Sequence, residues 1–281
     1  MEEIVCLNGS LMPLSMAKLS PLEWGFLYGY GLFETMRAYN GRIFLPEKHL
    51  ARLSSSAQFL GIDLEDNAVL EKALYDTLQA NSLSDARLRL TISGGEGEPV
   101  PDPLAHRSPT LLIMARGYIP YPPHIYEQGF QAIVSQIRRN TRSPAAAMKS
   151  LNYLDNLLAQ RAAKLVGADQ AILLNEQGYL AEGSTSNIFS ISGNTLLTPN
   201  EDSGILPGIT RGAVLELAPT LGMEVEERKI SLDELLQADE AFFTNSLMEI
   251  MPLTQVSGQT IGSGRPGTGT QQLMTAYKEL V

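Results

Sequence analysis

Apolar residues recur at helical spacing in residues 45–60, where Leu50, Leu53, Ala57 and Leu60 share one face and Pro46 falls in the first turn, where proline is tolerated. The stretch RLRLTIS at 87–93 alternates instead, as a half-buried strand does, and residues 110–114 read as a second short strand. Farther along, 171–174 and Leu180 flank a turn at 175–178, and 187–191 pairs with 196–198 across Gly193-Asn194. Helices are predicted over 151–166, stopped by Gly167, over 211–217, and over 232–237, opened by a capping box of Ser231 and Glu234. Consecutive hairpins predict a largely antiparallel sheet, and the mixture of periods predicts an α+β (mixed α/β) class. Both patterns stop at GYIPYPP, 117–123, whose prolines continue neither helix nor sheet. The expected organisation is a domain at 1–117, a linker at 118–123 and a domain at 124–281, with the Gly/Ser/Thr-rich stretch 258–270 as a surface loop.

Composition narrows the function classes. The 281 residues carry 21 Lys plus Arg against 31 Asp plus Glu, a net charge of −10, which disfavours a polyanionic partner such as nucleic acid. One cysteine, Cys6, cannot make an intrachain disulfide, and His49, His106 and His124 lie too far apart for metal-ligand spacing. The acidic start Met1-Glu2-Glu3 is unlike a signal peptide, and no apolar run approaches the ~18 residues of a membrane span. A cytoplasmic, metal-free protein is expected.

Common enzyme motifs are absent: no G-x-x-x-x-G-K-[ST], no G-x-S-x-G, no H-E-x-x-H. The glycines of 25–31 (GFLYGYG) do not match G-x-G-x-x-G and suit a tight turn with aromatic packing. Of the seven lysines, six have polar or helix-surface settings. Lys149 follows Pro144-Ala-Ala-Ala-Met148 and precedes the expected helix from 151. Partial desolvation there would favour the neutral amine that a Schiff-base lysine requires, although a snorkelling surface lysine fits the same setting. Glu182 stands at the end of a hairpin strand among small residues that leave room for a planar ring, and one carboxylate facing a pyridine nitrogen would keep it protonated. Gly208, Ile209 and Thr210 lie where a loop opens into a helix, a setting suited to a phosphate or to an ordinary threonine cap. Amine, acid and phosphate cradle together suit pyridoxal 5′-phosphate better than any one does.

These residues form a long, spaced signature: Glu182-x-Ser184-x-x-Asn187-Ile188-Phe189, then Leu196-Leu197-Thr198-Pro199, then Leu206-Pro-Gly-Ile-Thr-Arg211. With Tyr28-Gly-Tyr-Gly-Leu-Phe-Glu-Thr-Met-Arg37, His49-Leu-Ala-Arg-Leu53 and the segment 238–246 in order, the chain resembles the class IV, fold-type IV pyridoxal-phosphate enzymes over nearly its whole length. That family comprises branched-chain and D-amino-acid aminotransferases and 4-amino-4-deoxychorismate lyases. The resemblance implies a two-domain fold, with a small N-terminal α/β domain and a larger C-terminal domain holding an antiparallel-rich pseudo-barrel, and a homodimer. It also implies that Lys149 forms the Schiff base and shuttles protons, that Glu182 pairs with the pyridine nitrogen, and that Arg52, Gly208, Ile209, Thr210 and Ser246 hold the phosphate. Leu206 would pack on the ring, and Tyr153 would meet the phenolic oxygen or serve as helix packing. Tyr28, Thr35, Arg37 and Arg107 are the implied substrate binders, with Thr35 also readable as a strand hydroxyl bonded to backbone and the arginines as solvated charges.

Within the family, branched-chain members usually have a glycine pair between the lysine and the following Asn-Tyr, where this chain has Lys149-Ser-Leu-Asn-Tyr153. D-amino-acid members resemble one another in an Arg-x-His trap after the strand near Ser93. This chain reads Ser93-Gly-Gly-Glu-Gly-Glu98 there, and His106-Arg107 only later. Segments 20–35 and 244–252 look most like bacterial aminodeoxychorismate lyases, which release pyruvate and form 4-aminobenzoate. A class IV aminotransferase, passing an amino group to a 2-oxo acid, is the alternative.

Overall fold

The structure is a computed structural model that describes residues 2–100, 102, 104 and 107–281, so His106 lies outside the described residues. It consists of two units, 1–119 with 148–152 and 120–147 with 153–281.

The first unit holds β1 (Ile4–Leu7), β2 (Ser10–Pro13), α1 (Trp24–Tyr28), β3 (Gly31–Tyr39), β4 (Arg42–Ile43), α2 (Pro46–Leu60), α3 (Asn67–Ala80), β5 (Ala86–Ser93) and β6 (Thr110–Gly117). The strands form one sheet in the order β2-β1-β6-β5-β3-β4. The helical stripe Leu50, Leu53 and Ala57 of α2, with Leu70, Leu74 and Leu78 of α3, buries against Leu32, Met36, Leu88, Leu90 and Ile113 of the strands. Each such leucine contributes about 1.5–3 kcal/mol of burial. Because side chains alternate along a strand, the other face carries Phe33 and Thr35 opposite Thr91 and Arg89. Gly29 ends α1 with a φ of +65°, in the left-handed region that glycine adopts without a Cβ penalty.

Residues 148–152 return to this sheet. Phe33 N–H donates to the Lys149 carbonyl at 2.8 Å, and Leu151 N–H donates to the Gly31 carbonyl at 2.9 Å. Leu32 and Ser150 form a bridge between these bonds. The predicted helix from 151 therefore begins only at Leu154, since backbone groups committed to β3 cannot also start a helical ladder.

The second unit contains α4 (Pro123–Gln128), β7 (Phe130–Arg139), α5 (Leu154–Leu165), β8 (Gln170–Asn175), β9 (Leu180–Gly183), β10 (Asn187–Ser192), β11 (Thr195–Pro199), α6 (Ile209–Leu217), β12 (Glu224–Arg228), α7 (Leu232–Leu236), β13 (Glu240–Asn245), β14 (Glu249–Val256), β15 (Gln259–Thr260) and α8 (Thr268–Leu280). Its sheet runs β12-β11-β10-β13-β14-β7-β8-β9, with β15 on β14. The expected hairpins β8–β9 and β10–β11 are present, but β7 pairs parallel to both β8 and β14, and β12 runs parallel to β11. The sheet is thus antiparallel-rich and mixed, because helix-containing connections join some neighbours. The capping box of Ser231 and Glu234 forms at α7. The stretch read as a loop at 258–270 includes β15 and the first turn of α8, whose glycines conceal the helix start.

Candidate functional site

In the first unit, Lys149 is half-buried on its sheet-bound segment, and its Nζ lies 4.5 Å from the centre of the Phe33 ring. The Arg89 guanidinium sits over the same ring at 3.9 Å, so two cations share one aromatic surface. Arg89 is a residue the motif reading missed. Its signal is the alternation at 87–93, which sends Arg87, Arg89 and Thr91 to the face opposite the core. Thr35 is half-buried and directly opposite Arg89 in the β3–β5 register.

Arg52 leaves α2 toward β3. Its Nε donates to Glu34 Oε1 at 2.9 Å and its Nη2 to Glu34 Oε2 at 2.6 Å. His49 Nδ1 lies 2.7 Å from the same Oε2, and both Glu34 and His49 are about 1% exposed. Burial alone would raise the Glu34 pKa, but the Arg52 charge and the His49 hydrogen bond bring it down to about 2. An ionised carboxylate only accepts, so His49 donates through Nδ1. Burial holds the His49 pKa below the usual histidine value, against the pull of Glu34 and with help from the Arg52 and Lys149 charges.

Tyr28 is exposed, packs edge-on against Trp24 with centroids 5.3 Å apart, and donates its hydroxyl to the Pro99 carbonyl. Arg37 is buried, with its guanidinium 4.3 Å from the Tyr39 ring centre and 4.8 Å from that of Tyr118. Arg107 lies over Trp24 at 3.4 Å and donates to the carbonyls of Gly94 (3.1 Å) and Asp102 (2.8 Å).

In the second unit, the β9–α6 region gathers the remaining residues. Glu182 is buried; one oxygen pairs with Arg139 of β7, and the other accepts the Leu206 N–H at 2.9 Å and the Asn187 amide at 3.5 Å. Asn187 also donates to the Leu206 carbonyl at 2.7 Å, so Glu182, Asn187 and Leu206 form one polar knot. A Cβ on Gly208 would lie 2.0 Å from Asn187 Oδ1, which leaves glycine as the residue that fits this approach. Gly208 is the N-cap of α6, whose first turn has no side-chain cap and includes the buried Thr210. Tyr153 is the N-cap of α5, its hydroxyl 3.5 Å from the Ser184 carbonyl. Ser246 stands in the β13–β14 turn, where Asn245 Oδ1 accepts the N–H groups of Leu247 and Met248.

These features fit a phosphorylated pyridine. An uncapped helix start offers N–H groups and a positive dipole end to an anion. Thr244, paired across the strands with Asn187 and so on its face, has a buried hydroxyl with no hydrogen-bond partner among the described residues. A buried polar atom of that kind calls for a missing partner.

The family model "Amino-transferase class IV" matches residues 31–256. A Methanocaldococcus jannaschii protein with a provisional branched-chain-amino-acid aminotransferase name is 38% identical over 280 residues, covering 98% of this chain and 96% of the relative. The aminodeoxychorismate lyase of Bacillus subtilis is 37% identical over 283 residues, covering 98% and 94%. Among solved structures, the branched-chain amino acid aminotransferase of Escherichia coli superposes with a TM-score of 0.95 at 32% identity, covering 100% of this chain and 95% of that one. The chain belongs to amino-transferase class IV and is an enzyme of that class.

Proposed function

We propose that the protein is a pyridoxal 5′-phosphate enzyme acting on a primary amine, with Lys149 as its Schiff-base lysine and proton carrier. A solved branched-chain amino acid aminotransferase of the same fold holds pyridoxamine 5′-phosphate, which supports the choice of cofactor. The cofactor, when bound, supplies an electron sink that stabilises negative charge at the carbon next to the substrate nitrogen. Glu182, already fixed by Arg139, Leu206 and Asn187, would hold the protonated pyridine nitrogen. Ile209 and Thr210 offer backbone N–H groups to the phosphate, together with the Thr210 and Ser246 hydroxyls and Arg52. Leu206 would pack on the ring, and Tyr153 would meet its phenolic oxygen.

The reading best supported for the substrate is 4-amino-4-deoxychorismate, cleaved to 4-aminobenzoate and pyruvate. The observation that carries it is the cation over Phe33: Arg89 shares that ring with the Lys149 amine, and Arg87 stands two residues before Arg89 on the same strand face. An apolar branched side chain calls for an apolar wall, whereas a dianion suits arginines. In this reaction Lys149 takes the ring proton, the carbon–oxygen bond to the enolpyruvyl group breaks, and that group leaves as pyruvate on gaining the proton. The aminotransferase reading is favoured by the name of the Methanocaldococcus jannaschii relative, and there Lys149 would take the proton from the substrate carbon next to the nitrogen.

Supplying the purified enzyme with chorismate, ammonia and an aminodeoxychorismate synthase tests the choice. Release of 4-aminobenzoate with equimolar pyruvate is expected. No release there, with turnover of L- or D-amino acids and 2-oxoglutarate, would establish the aminotransferase. We also read the chain as a homodimer, supported by exposed Met16, Leu19 and Phe26 in the first unit and Leu154, Leu157 and Leu165 on α5. Sedimentation at twice the chain mass is the expected result.

A further inference from the structure

A carboxylate inside an apolar layer needs a reason. Glu34 sits on β3 between Leu32 and Met36, opposite Leu90, on the face that packs against α2 and α3. For folding alone, an apolar residue there would serve as well, because a buried ion pair replaced by packed hydrophobic side chains is often neutral or stabilising.

The geometry of the pair supplies the reason. Glu34 takes Arg52 side-on, through Nε and Nη2, at 2.9 and 2.6 Å. Two parallel bonds to a rigid carboxylate fix the plane of a guanidinium and the direction in which its opposite edge points. The carboxylate is fixed in turn: it hangs from a central strand, and His49, one helical turn before Arg52 on α2, holds Oε2 at 2.7 Å. With its pKa at about 2, Glu34 stays ionised throughout the physiological range.

We propose that Glu34 and His49 are positioning residues for Arg52, the carboxylate setting the guanidinium plane and the imidazole setting the carboxylate, so that the arginine meets the cofactor phosphate already oriented. This rests on the reading that Arg52 binds that phosphate. Arginine has about 2 kcal/mol of side-chain rotamer entropy to lose on being fixed, and in this arrangement folding, rather than cofactor binding, bears that loss. The opposite effect is also defined. If Glu34 served only to neutralise Arg52, it would weaken attraction to a dianion, and its removal would tighten binding.

The experiment compares two probes, pyridoxal 5′-phosphate and pyridoxal, titrated against the full-length wild type, E34Q and E34D, with folding checked by far-ultraviolet circular dichroism. E34D keeps the charge but withdraws it by one methylene, so it tests geometry if E34Q fails to fold. The wild type should prefer the phosphorylated probe. Both variants should lose about tenfold or more in affinity for it, the scale of a hydrogen bond to a charged group, with pyridoxal affinity changed less than about twofold. In an R52Q background the Glu34 substitutions should add little, since the two residues act as one unit. A wild type with no preference for the phosphorylated probe would remove the reading of Arg52 itself. A wild-type preference that survives in the variants, tighter binding by E34Q, or equal loss for both probes would overturn the positioning role while leaving the cofactor assignment in place.

Discussion

The buried Glu182 and the half-buried Arg139 form an ion pair between β9 and β7, and the carboxylate's second oxygen is held by the Leu206 N–H at 2.9 Å. The acid proposed to hold the pyridine nitrogen is therefore anchored by the protein itself. E182A would leave the Arg139 guanidinium without its carboxylate, a loss of about 3 kcal/mol of stability, along with turnover. Adding R139M should restore much of the stability and none of the activity. Urea unfolding and steady-state rates on the same preparations separate the two effects.

Acid should destabilise the first unit in a defined window. The folded-state pKa of Glu34 is lowered to about 2 from an ordinary 4.5, so its contribution is complete above about pH 4.5 and lost as pH falls toward 2. His49 is also shifted downward, so its contribution is complete above its unfolded value of 6.5 and declines as pH drops below that. The melting temperature should fall from pH 7 to pH 3, and H49Q should flatten the upper part of that fall. An unchanged pH profile in H49Q would contradict the downward shift of the buried His49.

G31A should damage the enzyme from outside the chemistry. A Cβ at Gly31 would lie 2.5 Å from the Ile92 carbonyl and 2.8 Å from a Leu151 methyl, so the strand or the 148–152 segment must shift. Overpacking of this kind costs about 1–3 kcal/mol, and the shift would carry Lys149 with it. Differential scanning calorimetry and cofactor affinity should both register the change.

Glu240 closes the start of α8, accepting the Gly269 N–H at 3.0 Å and the Thr270 N–H at 2.7 Å. E240A should cost about 1–2 kcal/mol, as loss of a helix cap does, with catalytic constants unchanged at 25 °C. Chemical denaturation measures the first and initial rates the second.

Much of this was legible from residue order alone. The stripe on α2, the alternation of β5, the hairpins of β8–β11 and the Ser231 capping box all use local rules, and local rules survive folding. The spaced motif from Glu182 to Arg211 marked the polar knot of the second unit. What escaped depended on pairing between distant segments. The return of 148–152 to β3 delays α5 to Leu154, and nothing near Leu151 signals that its N–H will be taken by Gly31. Parallel joins at β7 are equally silent, because the partner is chosen by topology. The roles of Arg139, Arg89 and Glu34 are hidden for a related reason: a charge on a strand reads as solvated until the residue facing it is known.

The most direct measurement is reduction of the holoenzyme with borohydride, followed by proteolysis and mass mapping of the pyridoxyl group. A single stoichiometric modification on Lys149, absent from K149A, is expected. A label on another lysine, or none in an enzyme that still turns over substrate, would contradict it.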